Sequence, residues 1–219
     1  MTQGDSSAPA SIAVEGPIGV GKTSLTLRLG EALGYEVLLE NAEDNPFLER
    51  FYLDQGRNAL ATQLHFLLQR AQQLQGITED DLFKTRCIAD YLMAKDRLFA
   101  ELTLDEAELA LYDAVYERLT VEAPKPDLVI YLQAPLAVLQ DRIRLRGRAA
   151  EQNLDDAYLE GLSDAYARFF HFFDEAPLLI VNAAELDWVN NSEHFDALLT
   201  RIKGPLSARQ YFNPHPSLL

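Results

Sequence analysis

The chain has 219 residues, 48% of them hydrophobic, and a formal net charge of −15. That is enough apolar material for one sizeable α/β core, and no run of it approaches the length of a membrane span. The acidic balance argues against a nucleic acid backbone as partner, while the single cysteine, Cys87, excludes an internal disulfide framework and suits a reducing cytoplasm.

Residues 1–10 are mostly small and polar, without the apolar or arginine-rich pattern of a targeting peptide. They read as a disordered tail ahead of a single domain spanning 11–219. Ile12-Ala13-Val14 reads as a strand, and the stretch from about Lys22 to Leu33 as an amphipathic helix stopped by Gly34. Joining them is Gly16-Pro17-Ile18-Gly19-Val20-Gly21-Lys22-Thr23. The spacing Gly-x4-Gly-Lys-Thr is the phosphate-binding P-loop. Gly16, Gly19 and Gly21 let successive N–H groups curl inward at phosphate oxygens, and the helix N-terminus adds partial positive charge. Lys22 is placed to reach the outer phosphates of ATP, and the Thr23 hydroxyl to take a position on Mg²⁺.

Glu36 to Glu40 reads as a buried strand ending in an acid, which places Glu40 at the ligand-binding end of a parallel sheet. A helix from about Ala59 to Gln75 carries an apolar stripe of Leu60, Leu64, Leu67, Ala71 and Leu74. Beside it Gln63, Phe66 and Arg70 share a neighbouring face. They suit either a solvated edge around a core phenylalanine, or a ring platform flanked by an amide and a guanidinium fork for a nucleobase. Arg86 to Asp90 is a third strand ending in an acid, and such an acid commonly orders Mg²⁺ in a P-loop protein. Tyr91 to Ala100 begins another helix, and Asp105 caps the next, to about Thr120. Leu128 to Leu132 is a fourth strand.

Arg142, Arg144, Arg146 and Arg148 then place four of the chain's 19 basic residues within seven positions. In so acidic a chain they suit a lid over transferring phosphates, with Gly147 as its hinge. Asp155 starts a helix bearing Tyr158, Leu162, Tyr166, Phe169 and Phe170, Leu178 to Val181 is a fifth strand, and Phe195 to Ile202 a final helix. The expected fold is therefore α/β, a P-loop kinase with a five-stranded parallel sheet flanked by helices and an arginine-rich lid.

Taken in order, Glu15-Gly16 to Thr23, Glu40, Tyr52, the Gln63–Arg70 pair, Asp90, Arg142-x3-Arg146-Gly147-Arg148 and Glu151-Gln152 resemble the deoxynucleoside kinases from Ile12 to Phe212. The resemblance implies transfer of the γ-phosphoryl group of ATP to the 5′-hydroxyl of a 2′-deoxynucleoside, purines favoured, by a cytoplasmic homodimer. It implies that Glu40 is the base and that Tyr52 and Glu151 hold the 3′-hydroxyl. Gln63, Phe66, Arg70 and Asp96 would meet the nucleobase, Arg142, Arg146 and Arg148 the phosphates, and Asp187 and Trp188 the donor's adenine. Thr23 and Asp90 would serve Mg²⁺. One departure stands out: the family's acid-Arg-Ser triplet is Asp90-Tyr91-Leu92 here, so the arginine is missing. Lys95 or Arg97 can replace it, and either Lys95 or Asp96 takes the acid's place near the base. A nucleoside monophosphate kinase of the thymidylate kinase type would want a cation where this chain has Glu40. A regulatory ATPase would leave Glu40, Gln63, Phe66 and Arg70 without a purpose.

Overall fold

A computed structural model describes residues 8–75, 86–119, 125–148, 151–152 and 154–213, without the side chains of residues 55, 56, 74 and 75. Residues 1–7 of the expected tail, Thr120 at the expected helix end and the Leu74 side chain lie outside it.

The strands are β1 (Ser11–Glu15), β2 (Glu36–Leu38), β3 (Cys87–Ala89), β4 (Leu128–Gln133), β5 (Leu178–Asn182) and β6 (Arg209–Phe212). They form one sheet in the order β2-β3-β1-β4-β5-β6, and every neighbouring pair is parallel. Strand alternation divides the core between the two faces. Ile12, Val14, Ile88, Ile130, Leu132, Leu179 and Val181 pack on one side, and Ala13, Val129, Tyr131, Leu178 and Ile180 on the other. The first face is covered by α1 (Lys22–Leu33), α6 (Leu136–Arg146) and α8 (Ser192–Lys203), through Leu25, Leu29, Leu139, Phe195, Leu198 and Ile202. The second is covered by α2 (Leu48–Leu53), α3 (Gln55–Gln75), α4 (Asp96–Thr103) and α7 (Asp156–Phe172), through Phe51, Ala59, Leu98, Leu162, Tyr166 and Phe170. Helix α5 (Glu106–Leu119) packs outside this layer, where Tyr112 meets Leu67 and Ala71 of α3.

The sheet has six strands, not five. β6 was missed because it is a four-residue edge strand whose one buried side chain is polar, Gln210. Two strands are also shorter than expected. β2 stops at Leu38, leaving Glu40 beyond it, and β3 stops at Ala89, leaving Asp90 beyond it. Of the tail, Ala8 to Ala10 are described and tied to the sheet: Tyr35 Oη donates to the Pro9 carbonyl at 2.6 Å, and the Ala10 N–H to Asp127 at 2.9 Å. The parallel register matters most for the site. Ala13 lies opposite Ala89, and Leu38 opposite Ala89 on the other side, so the chain leaves β1, β2 and β3 at one edge of the sheet. Glu15, Glu40 and Asp90 emerge together there.

Candidate active site

The loop after β1 depends on its glycines. Gly16 has φ +148° and Gly21 φ +105°, values that L side chains rarely adopt. A Cβ on Gly16 would lie 2.5 Å from the Leu132 carbonyl, and one on Gly21 2.8 Å from the Trp188 ring. Lys22 folds back over this loop and donates to the carbonyls of Gly16 at 2.7 Å and Pro17 at 3.3 Å. Burial, and then the charge of Lys95, pull its proton affinity down to about 7, against the opposing pull of Glu15 and Asp90.

Asp90 joins the loop to the second strand's end. One carboxylate oxygen accepts from Thr23 Oγ1 at 2.6 Å and the other from the Glu40 N–H at 2.7 Å. Glu40 itself is paired with Arg70 and lies 3.5 Å from Lys95 Nζ. Glu15 lies beneath them, fully buried. It accepts from the Gly16 N–H at 3.1 Å, the Leu92 N–H at 2.6 Å and Tyr166 Oη at 3.0 Å, with Lys95 Nζ 3.3 Å away. Sequence reasoning gave Glu15 no role. The signal was present, since it ends a strand as Glu40 and Asp90 nearly do, but its place in the glycine motif masked it.

Burial separates the two cations that follow β3. Arg97 is half exposed and pairs with Asp113 at 3.1 Å and Glu101 at 3.5 Å, away from the site. Lys95 is 1% exposed and turned inward. The acid near the expected base pocket is Asp96, which pairs with Arg70. Arg70 thus bridges Glu40 and Asp96, with its guanidinium 5.3 Å from the Phe66 ring centroid and 5.7 Å from that of Tyr91. Gln63 and Arg70 are only 4% and 3% exposed, so the solvated-edge reading of this helix is wrong. Both face inward because α3 is enclosed by α2, α4 and α5. Gln63 Nε2 donates to Thr103 Oγ1 at 3.4 Å.

Tyr52 and Glu151 line the same space, and burial pushes the Tyr52 phenol up. Glu151 pairs with Arg146 and lies 3.7 Å from Arg148, which also reaches Glu43 at 3.2 Å. The arginine run is helix α6 and its C-terminal cap, closed by Gly147 at φ +68°. Arg142 donates to the Val20 carbonyl at 2.9 Å and the Ala183 carbonyl at 2.8 Å, in the wall beside the P-loop. Trp188 is buried against Gly21, with Nε1 donating to Ser24 Oγ at 3.2 Å. Asp187 is exposed. Its carboxylate accepts the Asn190 N–H at 2.9 Å and the Val189 N–H at 3.0 Å, which hold it below the usual carboxylate range. Lys22, Thr23, Glu40, Gln63, Arg142 and Trp188 all line one cleft of about 1060 Å³.

The family model described as deoxynucleoside kinase matches residues 12–206. Over 197 residues the chain is 36% identical to the deoxyguanosine kinase of Bacillus subtilis (strain 168), covering 88% of this chain and 95% of that protein. It is 31% identical over 198 residues to the deoxyadenosine kinase of Lactobacillus acidophilus (strain ATCC 700396 / NCK56 / N2 / NCFM), covering 82% and 88% respectively. Among solved structures, the deoxyadenosine kinase from M. mycoides with bound dATP superposes with a TM-score of 0.77 at 26% identity, covering 89% of this chain and all of that one.

Proposed function

Since the chain belongs to the deoxynucleoside kinase family, we propose that it transfers the γ-phosphoryl group of ATP to the 5′-hydroxyl of a 2′-deoxynucleoside, with purines favoured, in nucleotide salvage. The observation that carries this reading is the link through Asp90, which joins Thr23 of the P-loop to Glu40 across one shared cleft. A donor site and a proton acceptor for a hydroxyl are thereby held a fixed distance apart, which is what phosphoryl transfer needs from a protein.

In this reading Gly16, Gly19, Gly21 and Lys22 cradle the donor phosphates, and Arg142, Arg146 and Arg148 supply positive charge where it develops. Asp187 and Trp188 border the donor's base. The donor set fits Mg²⁺: a hydroxyl and a carboxylate 2.6 Å apart beside a phosphate loop are hard oxygen ligands, and Mg²⁺ is usually held by few protein groups plus phosphates. Thr23 and Asp90 would hold it, and it would neutralise charge on the phosphates. Glu40 accepts the proton of the 5′-hydroxyl, and Tyr52 and Glu151 hold the 3′-hydroxyl.

Purine preference is supported by the names of the relatives and by the Gln63 amide, which lines the same cleft as Arg70. Gln63→Ala is expected to weaken the preferred nucleoside by about 1–3 kcal/mol, the worth of a good bidentate pair to a base. Competition among the four deoxynucleosides checks it: unchanged preference would remove Gln63 from base recognition. A homodimer belongs to the same reading, supported by Leu102 and Phe172 at 38% and 76% exposure along one groove between α4 and α7. So does a cytoplasmic place without nucleic acid or membrane partners, supported by the single cysteine and the charge of −15.

An acceptor screen tests the reaction as a whole. Deoxynucleosides, nucleoside monophosphates and no acceptor are offered with ATP and Mg²⁺, and ADP is measured. The expected result is ADP formation with deoxynucleosides. ADP formed only with monophosphates, or equally without any acceptor, would replace the proposal with a monophosphate kinase or an ATPase.

A further inference from the structure

Lys95 ends the short 3-10 turn Met93–Lys95 and is 1% exposed. Lysine is almost never fully buried unless it is paired. Two carboxylates face its ammonium, Glu15 Oε1 at 3.3 Å and Glu40 Oε2 at 3.5 Å. They are not equivalent. Glu15 is fully buried and already satisfied by two backbone N–H groups and the Tyr166 hydroxyl. The Glu40 side chain is 16% exposed and lines the cleft, and its other oxygen takes Arg70.

The groups around this ammonium come from every side of the site: Glu15 from β1, Lys22 from α1, Glu40 beyond β2, Arg70 from α3 and Asp90 beyond β3. The Phe99 ring of α4 lies 5.5 Å from Nζ. The Gly16 N–H binds Glu15, Glu15 binds Lys95, and Lys95 binds Glu40. One continuous polar chain therefore runs from the P-loop backbone to the carboxylate at the other side of the cleft.

We propose that Lys95 is a positioning residue that works through Glu40, holding one oxygen of its carboxylate while Arg70 holds the other. An ionised carboxylate has about four lone-pair sites, so each oxygen keeps capacity for the acceptor hydroxyl after taking its cation. What the two cations remove is rotation of the carboxylate and its drift from the P-loop. The inference rests on the reading of Glu40 as the proton acceptor. Glu15 keeps its other three donors when Lys95 is replaced, so its own burial does not require the ammonium.

A double-mutant cycle in the full chain tests this. Lys95→Met keeps an unbranched side chain without the charge. It should lower kcat by about 10²-fold, the usual cost of misplacing a reacting group, while KM for the nucleoside and affinity for ATP move far less. In a Glu40→Gln background the same substitution should cost almost nothing further, because its partner is already disabled. A role in stability alone would cost as much in both backgrounds, and so would direct action on the phosphates; an equal loss in both overturns the inference. Near-UV circular dichroism and ATP binding report whether the fold persists, and Lys95→Gln carries the same cycle if Lys95→Met does not fold. Normal turnover in Lys95→Met beside an impaired Glu40→Gln overturns the inference alone. Normal turnover in Glu40→Gln overturns the base assignment and with it the inference.

Discussion

Lys22→Ala is expected to slow transfer by about 10²–10³-fold while leaving the protein folded. Removing one preorganised electrostatic contact from a transition state costs roughly 3–4 kcal/mol, about 10²–10³ in rate. The fold should tolerate the loss, because Lys22 contacts only loop carbonyls among its hydrogen-bond partners, Gly16 and Pro17, while Leu25 and Leu29 carry the packing of α1. The low proton affinity of Lys22, about 7, adds a second readout. A lysine lowered this far is partly neutral near pH 7 in the free protein. Phosphate beside it favours the charged form and raises its proton affinity. ATP binding should therefore draw a proton onto Lys22 near neutral pH, and affinity should fall as pH rises above about 7. Calorimetry of ATP·Mg²⁺ binding in buffers of different ionisation heat measures that uptake. The expected result is uptake by the native chain that is diminished in Lys22→Ala. A folded variant with near-normal turnover would remove the loop from the donor site.

How much of this was legible beforehand depended on whether the signal was local. The P-loop was, because fixed φ values and close backbone approaches demand glycine at set spacing, and Gly16 and Gly21 show both. Strand-end acids were legible for a similar reason: an apolar run that stops at a carboxylate points to the ligand edge of a parallel sheet. The rest depended on contacts distant in sequence. Arg70 and Asp96 are 26 positions apart, and nothing in either neighbourhood announces that they pair. Lys95 and Arg97 are two residues apart, in a stretch where a 3-10 turn passes into α4. Helical periodicity there does not say which cation turns inward; only Glu15 of β1 and Glu40 beyond β2 decide it. Arg142 is a third case. Its cluster was visible, but its two carbonyl partners, Val20 and Ala183, belong to separate loops that the sheet brings together.

Glu40 and Asp90 carry the second large prediction. A primary hydroxyl is a poor nucleophile, and a positioned carboxylate accepting its proton typically contributes 10²–10⁴-fold. Glu40 is the better placed of the two. Its carboxylate lies between Arg70 and Lys95 with 16% of the side chain exposed to the cleft, whereas the Asp90 carboxylate is turned to the Thr23 hydroxyl and the Glu40 N–H. Asp90 is 3% exposed and lies against the hydroxyl that a P-loop offers to Mg²⁺. Glu40→Gln keeps the size and most of the hydrogen bonding but cannot accept a proton as a carboxylate does. It should lower kcat by about two orders of magnitude or more, with ATP·Mg²⁺ binding little changed. Asp90→Asn keeps one acceptor oxygen and loses the charge, so it should instead raise the Mg²⁺ concentration needed for half activity. Steady-state kinetics over a Mg²⁺ series separates the two. If Glu40→Gln gives the Mg²⁺ effect and Asp90→Asn the pure loss of turnover, the two carboxylates exchange roles: the polar chain from the P-loop through Glu15 and Lys95 would then end on a metal ligand, and Lys95 would be holding the wrong group to set the geometry of proton transfer.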